Sequence, residues 1–167
     1  MKKITFCLAL FCAMFLSLNS LKAQDYKSAI GLRLGIPLSV SYKHFINDRG
    51  AIEATVGYKN YSGFASYFSV TAAYQYHNDI SSVSGLKWYY GGGAGVNVWT
   101  YDPIYKALGV NTSSTTISIF GQLGLDYKFA DYPVNLSLDW APTFIVGSSY
   151  INGFGAGYGA LSARYTF

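Results

Sequence analysis

From Ile30 onward the chain is a succession of short stretches in which apolar and polar positions alternate. Ile30, Leu32 and Leu34 alternate with Gly31, Arg33 and Gly35, and Leu38, Val40 and Tyr42 with Ser39, Ser41 and Lys43. After the turn residues Asn47-Asp48-Arg49-Gly50, Ile52, Ala54, Val56 and Tyr58 alternate with Glu53, Thr55, Gly57 and Lys59. Past Tyr61-Ser62-Gly63, Phe68, Val70, Ala72, Tyr74 and Tyr76 alternate with Ser69, Thr71, Ala73 and Gln75. A period of two places successive side chains on opposite faces of a strand. Leu86–Trp99 predicts a fifth strand, and Ile117, Ile119, Leu123, Leu125 and Tyr127 mark the apolar face of a sixth. After Asp131-Tyr132-Pro133, Val134–Ala141 predicts a seventh, and an eighth runs from about Phe154 to Phe167.

The charged residues decide which face is which. Arg33, Lys43, Glu53, Asp126, Asp139 and Arg164 share their face with Ser, Thr, Gly, Asn and Gln, while the other face is Leu, Ile, Val, Tyr and Trp. A water-soluble barrel points its apolar face inward. Here the opposite arrangement is predicted: an all-β, eight-stranded antiparallel up-and-down barrel with lipid outside and a polar lumen. A strand of ten residues, at ~3.3 Å each and tilted ~45°, rises roughly 23 Å, close to an apolar band of about 25 Å. A Lys or Arg facing the bilayer midplane would cost about 2–4 kcal/mol, whereas inside the barrel the six charges can pair. A barrel of this size is narrow enough for side chains to fill. The lumen is therefore expected to be a self-satisfied plug, with an ion path gated by partner exchange as the sharper alternative. Asp139 and Arg164, on the seventh and eighth strands, are the pair expected to meet.

Both ends of the chain fit this picture. The last strand reaches the terminal Phe167, with Tyr165, Ala163 and Leu161 at alternate positions before it. A large apolar residue at a free carboxylate needs a surface, and a membrane interface supplies one. At the start, Met1-Lys2-Lys3, the apolar run Ile4–Leu18 and the polar segment ending at Ala23 have the anatomy of a cleaved secretory signal. Residues 1–23 are thus expected to be a signal peptide and 24–167 the barrel domain. The apolar run is shorter than the ~20 residues a spanning helix needs, and bulky Phe6 and Phe11 precede Cys7 and Cys12, against lipid attachment. Cleavage removes Lys2, Lys3 and Lys22, so Lys+Arg drops from 12 to 9 against 8 Asp+Glu, leaving +1. The basic pI of the precursor then says nothing for a nucleic-acid partner. Both cysteines leave as well, which removes disulfides, thiolate metal sites and a cysteine nucleophile. No cofactor is implied.

The connections vary in length. Tyr101–Thr115 is the longest, and short links join the second strand to the third and the sixth to the seventh. With an even strand count both termini share one side, read as periplasmic, which puts Tyr101–Thr115, Lys59–Ser66 and Gly147–Gly153 outside. The short Gly35-Ile36-Pro37 link and the longer Asn78–Gly85 segment fit that orientation less well. Gly91, Gly93 and Gly95, and Gly153, Gly155, Gly157 and Gly159, each occupy one face of a strand. With no helix following, they are read as room for neighbouring aromatics and not as a phosphate cradle. Counting back from Phe167 puts the second set outward, with Phe154 and Tyr158 inward, unless a bulge resets the register. Tyr42, Tyr58, Tyr76, Trp88, Trp99, Tyr127, Trp140 and Tyr165 are read as interfacial girdles. Tyr101, Tyr105 and Tyr150 are candidates for carbohydrate or headgroup contact.

With signal, strand count, alternation and terminal Tyr165-Thr166-Phe167 together, residues 24–167 resemble the small eight-stranded outer-membrane barrels of the OmpA/OmpX and opacity-protein type. The resemblance implies a cell outer-membrane location in a Gram-negative envelope. It also implies periplasmic chaperones and recognition of Leu161, Tyr165 and Phe167 by the barrel-assembly machinery. Lipid and lipopolysaccharide are the expected surroundings, and a monomer the expected state. Structural, narrow-pore and surface-interaction duties all occur on this architecture. The rival class is an outer-membrane enzyme modifying lipid A, an acyltransferase or deacylase using His with Ser and a carboxylate. Neither His44 nor His77 shows His-x-Ser spacing, and both are read as interfacial histidines near the periplasmic rim. A soluble lipocalin-like carrier is disfavoured by the outer face.

Overall fold

A computed structural model describes residues 26–62, 65–102, 113–147 and 153–167. The signal-peptide expectation, residues 103–112 and 148–152 of the two long connections, Tyr105 and Tyr150 lie outside the described residues. Ten strand segments are present: β1 (Ser28–Gly35), β2 (Leu38–Phe45), β3 (Gly50–Tyr61), β4 (Ala65–Asp79), β5 (Leu86–Tyr101), β6 (Ser113–Lys128), β7 (Val134–Trp140), β8 (Thr143–Gly147), β9 (Gly153–Gly155) and β10 (Gly159–Thr166). β7 and β8 are two halves of one barrel strand, since both pair with β6 in a single unbroken register. Pro142 interrupts them because it has no N–H to give, yet its carbonyl still accepts from Gly121 N at 3.0 Å. β9 and β10 form the eighth strand, and β10 pairs with β1 to close the ring.

The closure has a definite stagger. A row of directly paired outward residues leaves Ile117, crosses Val96, Val70, Val56, Val40, Leu32, Ala163 and Leu136, and returns to β6 at Tyr127. The return point is ten residues along the strand from the start. Eight strands with that shear tilt by roughly 40°, within the usual range for closed barrels. The residues of this row are apolar throughout, and they wind around the outside as one continuous spiral.

The two faces are opposite in character. Leu32, Leu34, Val40, Val56, Val70, Val96, Ile119, Leu123 and Leu138 stand exposed on the outside, whereas Ser41, Lys43, Glu53, Gln75, Asn135, Ser162 and Arg164 are buried inside. The turn between β2 and β3 closes because Asn47 Oδ1 accepts from Gly50 N at 2.6 Å and Arg49 N at 3.1 Å. β4 runs to Asp79, beyond its expected end, so the next connection shrinks to residues 80–85. That turn needs Gly85 at φ +81°, where its carbonyl receives Lys128 N.

The eighth strand carries the bulge on which its facing depends. Ala141 N bonds to Tyr158 O, while Thr143 pairs with Gly155, so Pro142 stands opposite both Ala156 and Gly157. The extra residue reverses the alternation. Tyr158 keeps the inward facing that counting back from Phe167 gives it, but beyond the bulge Phe154 faces outward beside Phe144, and Gly155 and Gly153 face inward. Gly91, Gly93 and Gly95 face inward. A Cβ on Gly93 would lie 2.8 Å from the Phe120 ring, and one on Gly124 2.7 Å from the Tyr89 ring. Of Gly91, Gly93 and Gly95, Gly93 alone lies against an aromatic ring; Gly91 meets the β4 backbone, and Gly95 meets Thr71 and Ser118.

Candidate functional site

Eight strand segments, β1 to β7 and β10, send charged or amide side chains into the end of the lumen that carries the chain termini. Their spacing follows from the strand period and the stagger between strands. All six charged residues singled out above point inward, and they form three ion pairs. Lys43 Nζ lies 2.8 Å from Asp126 Oδ2. Arg33 grips Asp139 with two parallel bonds of 2.5 and 2.6 Å. Arg164 pairs with Glu53. The expected contact between Asp139 and Arg164 is not the one formed. Tilt and stagger bring Arg33 of β1 across to Asp139 of β7, while Arg164 reaches Glu53 of β3, three strands away on the other side.

Neutral groups complete the coordination. Arg164 donates to Ser41 at 2.6 Å and to Ser137 at 2.7 Å. Gln75 donates to Glu53 at 2.5 Å and to Gln122 at 3.0 Å. Asn135 Nδ2 donates to Asp126 at 2.5 Å, and the Tyr89 hydroxyl to Asp139 at 2.9 Å. Each carboxylate thus meets a cation and at least one further donor, the condition under which buried charge is tolerated. Lys43, Glu53, Asp126 and Arg164 side chains are at most 3 % exposed, while Arg33 keeps 12 %. Among the described residues, Arg33 is the most exposed member of these pairs, and with Glu53 and Gln122 it borders the open part of the lumen.

Beyond that floor the lumen widens into a cup of about 130 Å³. Its wall carries the hydroxyls of Ser39, Thr55, Ser69, Thr71, Ser118 and Thr143, with Tyr67, Trp99, Phe120 and Tyr158 among them. Trp99, expected in a membrane girdle, faces this space instead. Its Nε1 donates to Thr116 at 3.2 Å, and its ring stacks on Tyr67 with centroids 4.4 Å apart. Tyr42, Tyr58, Trp88 and Trp140 do stand on the outer face.

The histidines separate. His44 sits at the rim, with Nδ1 2.8 Å from Ser28 Oγ and its ring parallel to Tyr42. This Ser–His contact escaped the search for His-x-Ser because it is made across strands, between directly paired residues sixteen apart in sequence. The Ser28 hydroxyl also receives the Tyr42 hydroxyl at 3.4 Å. His77 is not interfacial. It lies fully buried in the lumen between Phe45 and Tyr89, with Nε2 3.9 Å from Asp126. The even spacing of β4 puts His77 on the face of Ser69, Ala73 and Gln75, and the longer strand keeps it inside. Among the described residues no three His, Cys, Asp or Glu gather as metal ligands.

Leu161 faces outward on β10, and Tyr165 and Phe167 follow at alternate positions with their rings stacked 6.4 Å apart. Phe167 and Ser28 exchange backbone hydrogen bonds of 2.8 Å, so the last residue still belongs to the closing seam.

A closed, eight-stranded antiparallel barrel with an apolar exterior and a charged, self-paired lumen is the architecture of the small outer-membrane barrels. Two solved structures of that class match it. The crystal structure of Neisserial surface protein A (NspA) superposes with a TM-score of 0.57 at 23% identity, covering 84% of this chain and 93% of that one. The N-terminal β-barrel domain of Pseudomonas aeruginosa OprF gives 0.52 at 15% identity, covering 86% of this chain and all of the domain. No family model and no curated protein sequence matches the chain. The fold is that of the OmpA/OmpX type of small outer-membrane barrel.

Proposed function

We propose that the protein is an integral outer-membrane barrel of structural and surface type, exported by a cleaved signal and closed to ions. Its termini and short turns face the periplasm, and its longer connections reach the cell exterior. Lipid and lipopolysaccharide surround it, and the barrel-assembly machinery, handed the chain by periplasmic chaperones, receives it through Leu161, Tyr165 and Phe167. The observation that carries this reading is the stack of three ion pairs across the lumen, each with its neutral donors satisfied. An ion crossing the barrel would have to part at least one pair, leaving a buried charge uncompensated for several kcal/mol. Purified wild-type protein in planar bilayers is expected to give no channel events, and Asp139→Asn, which leaves Arg33 without its counter-charge, is the probe for opening. Stepwise conductance of the wild type would replace the plug by the gated pore.

The Ser28–His44 contact is the one observation that favours the lipid A-modifying alternative. A nucleophile of that kind needs a base held by a third group and donors aimed at the oxyanion. The described partners of this pair are hydroxyls, and Ser28 is buried at the rim. Purified protein incubated with lipopolysaccharide is expected to leave the mass of lipid A unchanged. A mass change abolished by His44→Ala would establish the enzyme instead.

A further inference from the structure

We infer that the cup above the ion-pair floor is a binding site for a single uncharged sugar ring. This goes beyond the structural reading, since a barrel needs no ordered recess to span a membrane. The cup is built from inward positions of the strands and one local departure from plain alternation. Tyr158 points inward in step with Ala160 and Ser162, and the bulge at Ala156-Gly157 brings Gly155 to the same face, where it gives the ring room: a Cβ there would fall 2.2 Å from it. Across the lumen Trp99 is fixed by its bond to Thr116 and its stack on Tyr67. Two aromatic walls therefore face a space of about 130 Å³.

The polar groups between them are of one kind. Thr55 and Thr71 share a bond of 2.7 Å, and Ser69 donates to Asn97 at 2.7 Å. A hydroxyl has one donor and two acceptor positions, so each keeps capacity for a ligand hydroxyl after that bond. Ser118 adds another hydroxyl to the lining. The charges at the floor are already matched: Arg33 is bidentate to Asp139, and Glu53 is held by Arg164 and Gln75. An ionic ligand would enter without a free counter-charge and lose its hydration. An uncharged ring with equatorial hydroxyls and an apolar face meets both the hydroxyl belt and the aromatic walls. The volume is about ten water-sized positions, close to the heavy-atom count of one hexose and too small for a chain of them.

The test is amide NMR of the labelled, refolded full barrel in micelles, titrated with D-glucose, N-acetyl-D-glucosamine and, as the charged control, sodium acetate. Saturable shifts at Thr55, Thr71, Asn97 and Ser118 with one of the sugars, at a dissociation constant on the order of 1 mM, are expected. Ser118→Leu, which fills the cup, is expected to weaken that binding at least ~10-fold, while heat-modifiable gel migration shows that the variant still closes. Should Ser118→Leu fail to fold, Thr71→Val removes a hydroxyl at constant shape, and a several-fold loss of affinity is then expected. No saturable shift with either sugar, shifts indifferent to both substitutions, or equal binding of acetate overturns the proposal.

Discussion

Glu53→Ala is expected to lower the unfolding free energy of the barrel by about 3–5 kcal/mol, read from urea titrations in detergent micelles. The side chain is buried and paired with Arg164, whose guanidinium is also buried and reaches Ser41 and Ser137. Removing the carboxylate leaves a cation with neutral partners only, and a gap beside Gln75. The charge, more than the gap, sets the size of the effect. Glu53→Gln keeps the volume and a hydrogen-bond acceptor, so a loss nearly as large as that of Glu53→Ala locates the penalty in the unpaired charge. The double change Glu53→Gln with Arg164→Met removes both charges and is expected to recover most of the stability, because replacing a whole buried pair is often close to neutral. If Glu53→Ala proves as mild as a surface substitution, water reaches the pair and the lumen is not the dry plug described above.

The register of polar and apolar positions was legible in the sequence because a strand has a period of two and lipid demands one uniform face. Arg33, Lys43, Glu53, Asp126, Asp139 and Arg164 were assigned to the lumen on that ground. Which charge meets which was not legible. Partners across a barrel interior depend on the stagger, and a ten-residue shear cannot be read from any one strand. Adjacency of the last two strands therefore suggested Asp139 with Arg164, where the closed ring brings Arg33 to Asp139 and Glu53 to Arg164. Strand length misled in a similar way. Asn78–Gly85 reads as a connection, yet Asn78 and Asp79 pair with Trp88 and Lys87, which extends β4 past His77 and keeps that side chain inside. The bulge in the eighth strand was a stated condition and not a prediction. Gly153–Gly159 alternates glycine with larger residues without a break, so nothing in the stretch marks a skipped residue, and Pro142, opposite the bulge, lies on the neighbouring strand.

Ile119→Arg separates a membrane barrel from a water-soluble one by the sign of its effect. Ile119 lies near the middle of β6 with its side chain outward and 58% exposed, directly paired with Ala94 on one side and Phe144 on the other. In water, replacing such an exposed Ile by Arg would be close to neutral for stability and favourable for solubility. In a bilayer the same change places a cation near the midplane, at a cost of about 2–4 kcal/mol. Ala94 and Ala72 beside it offer no carboxylate, and their small side chains leave no long neighbour to shield the charge. Equilibrium unfolding in phosphatidylcholine vesicles is therefore expected to show a loss in that range, against a much smaller one for Ile119→Ala. The same comparison at Tyr58, outward and nearer the far end of β3 where the head groups would lie, serves as a control for depth, since a charge there can reach water. A neutral or stabilising Ile119→Arg in vesicles would mean that the outer face does not meet hydrocarbon. The apolar spiral from Ile117 to Tyr127 would then have to be covered by another protein surface.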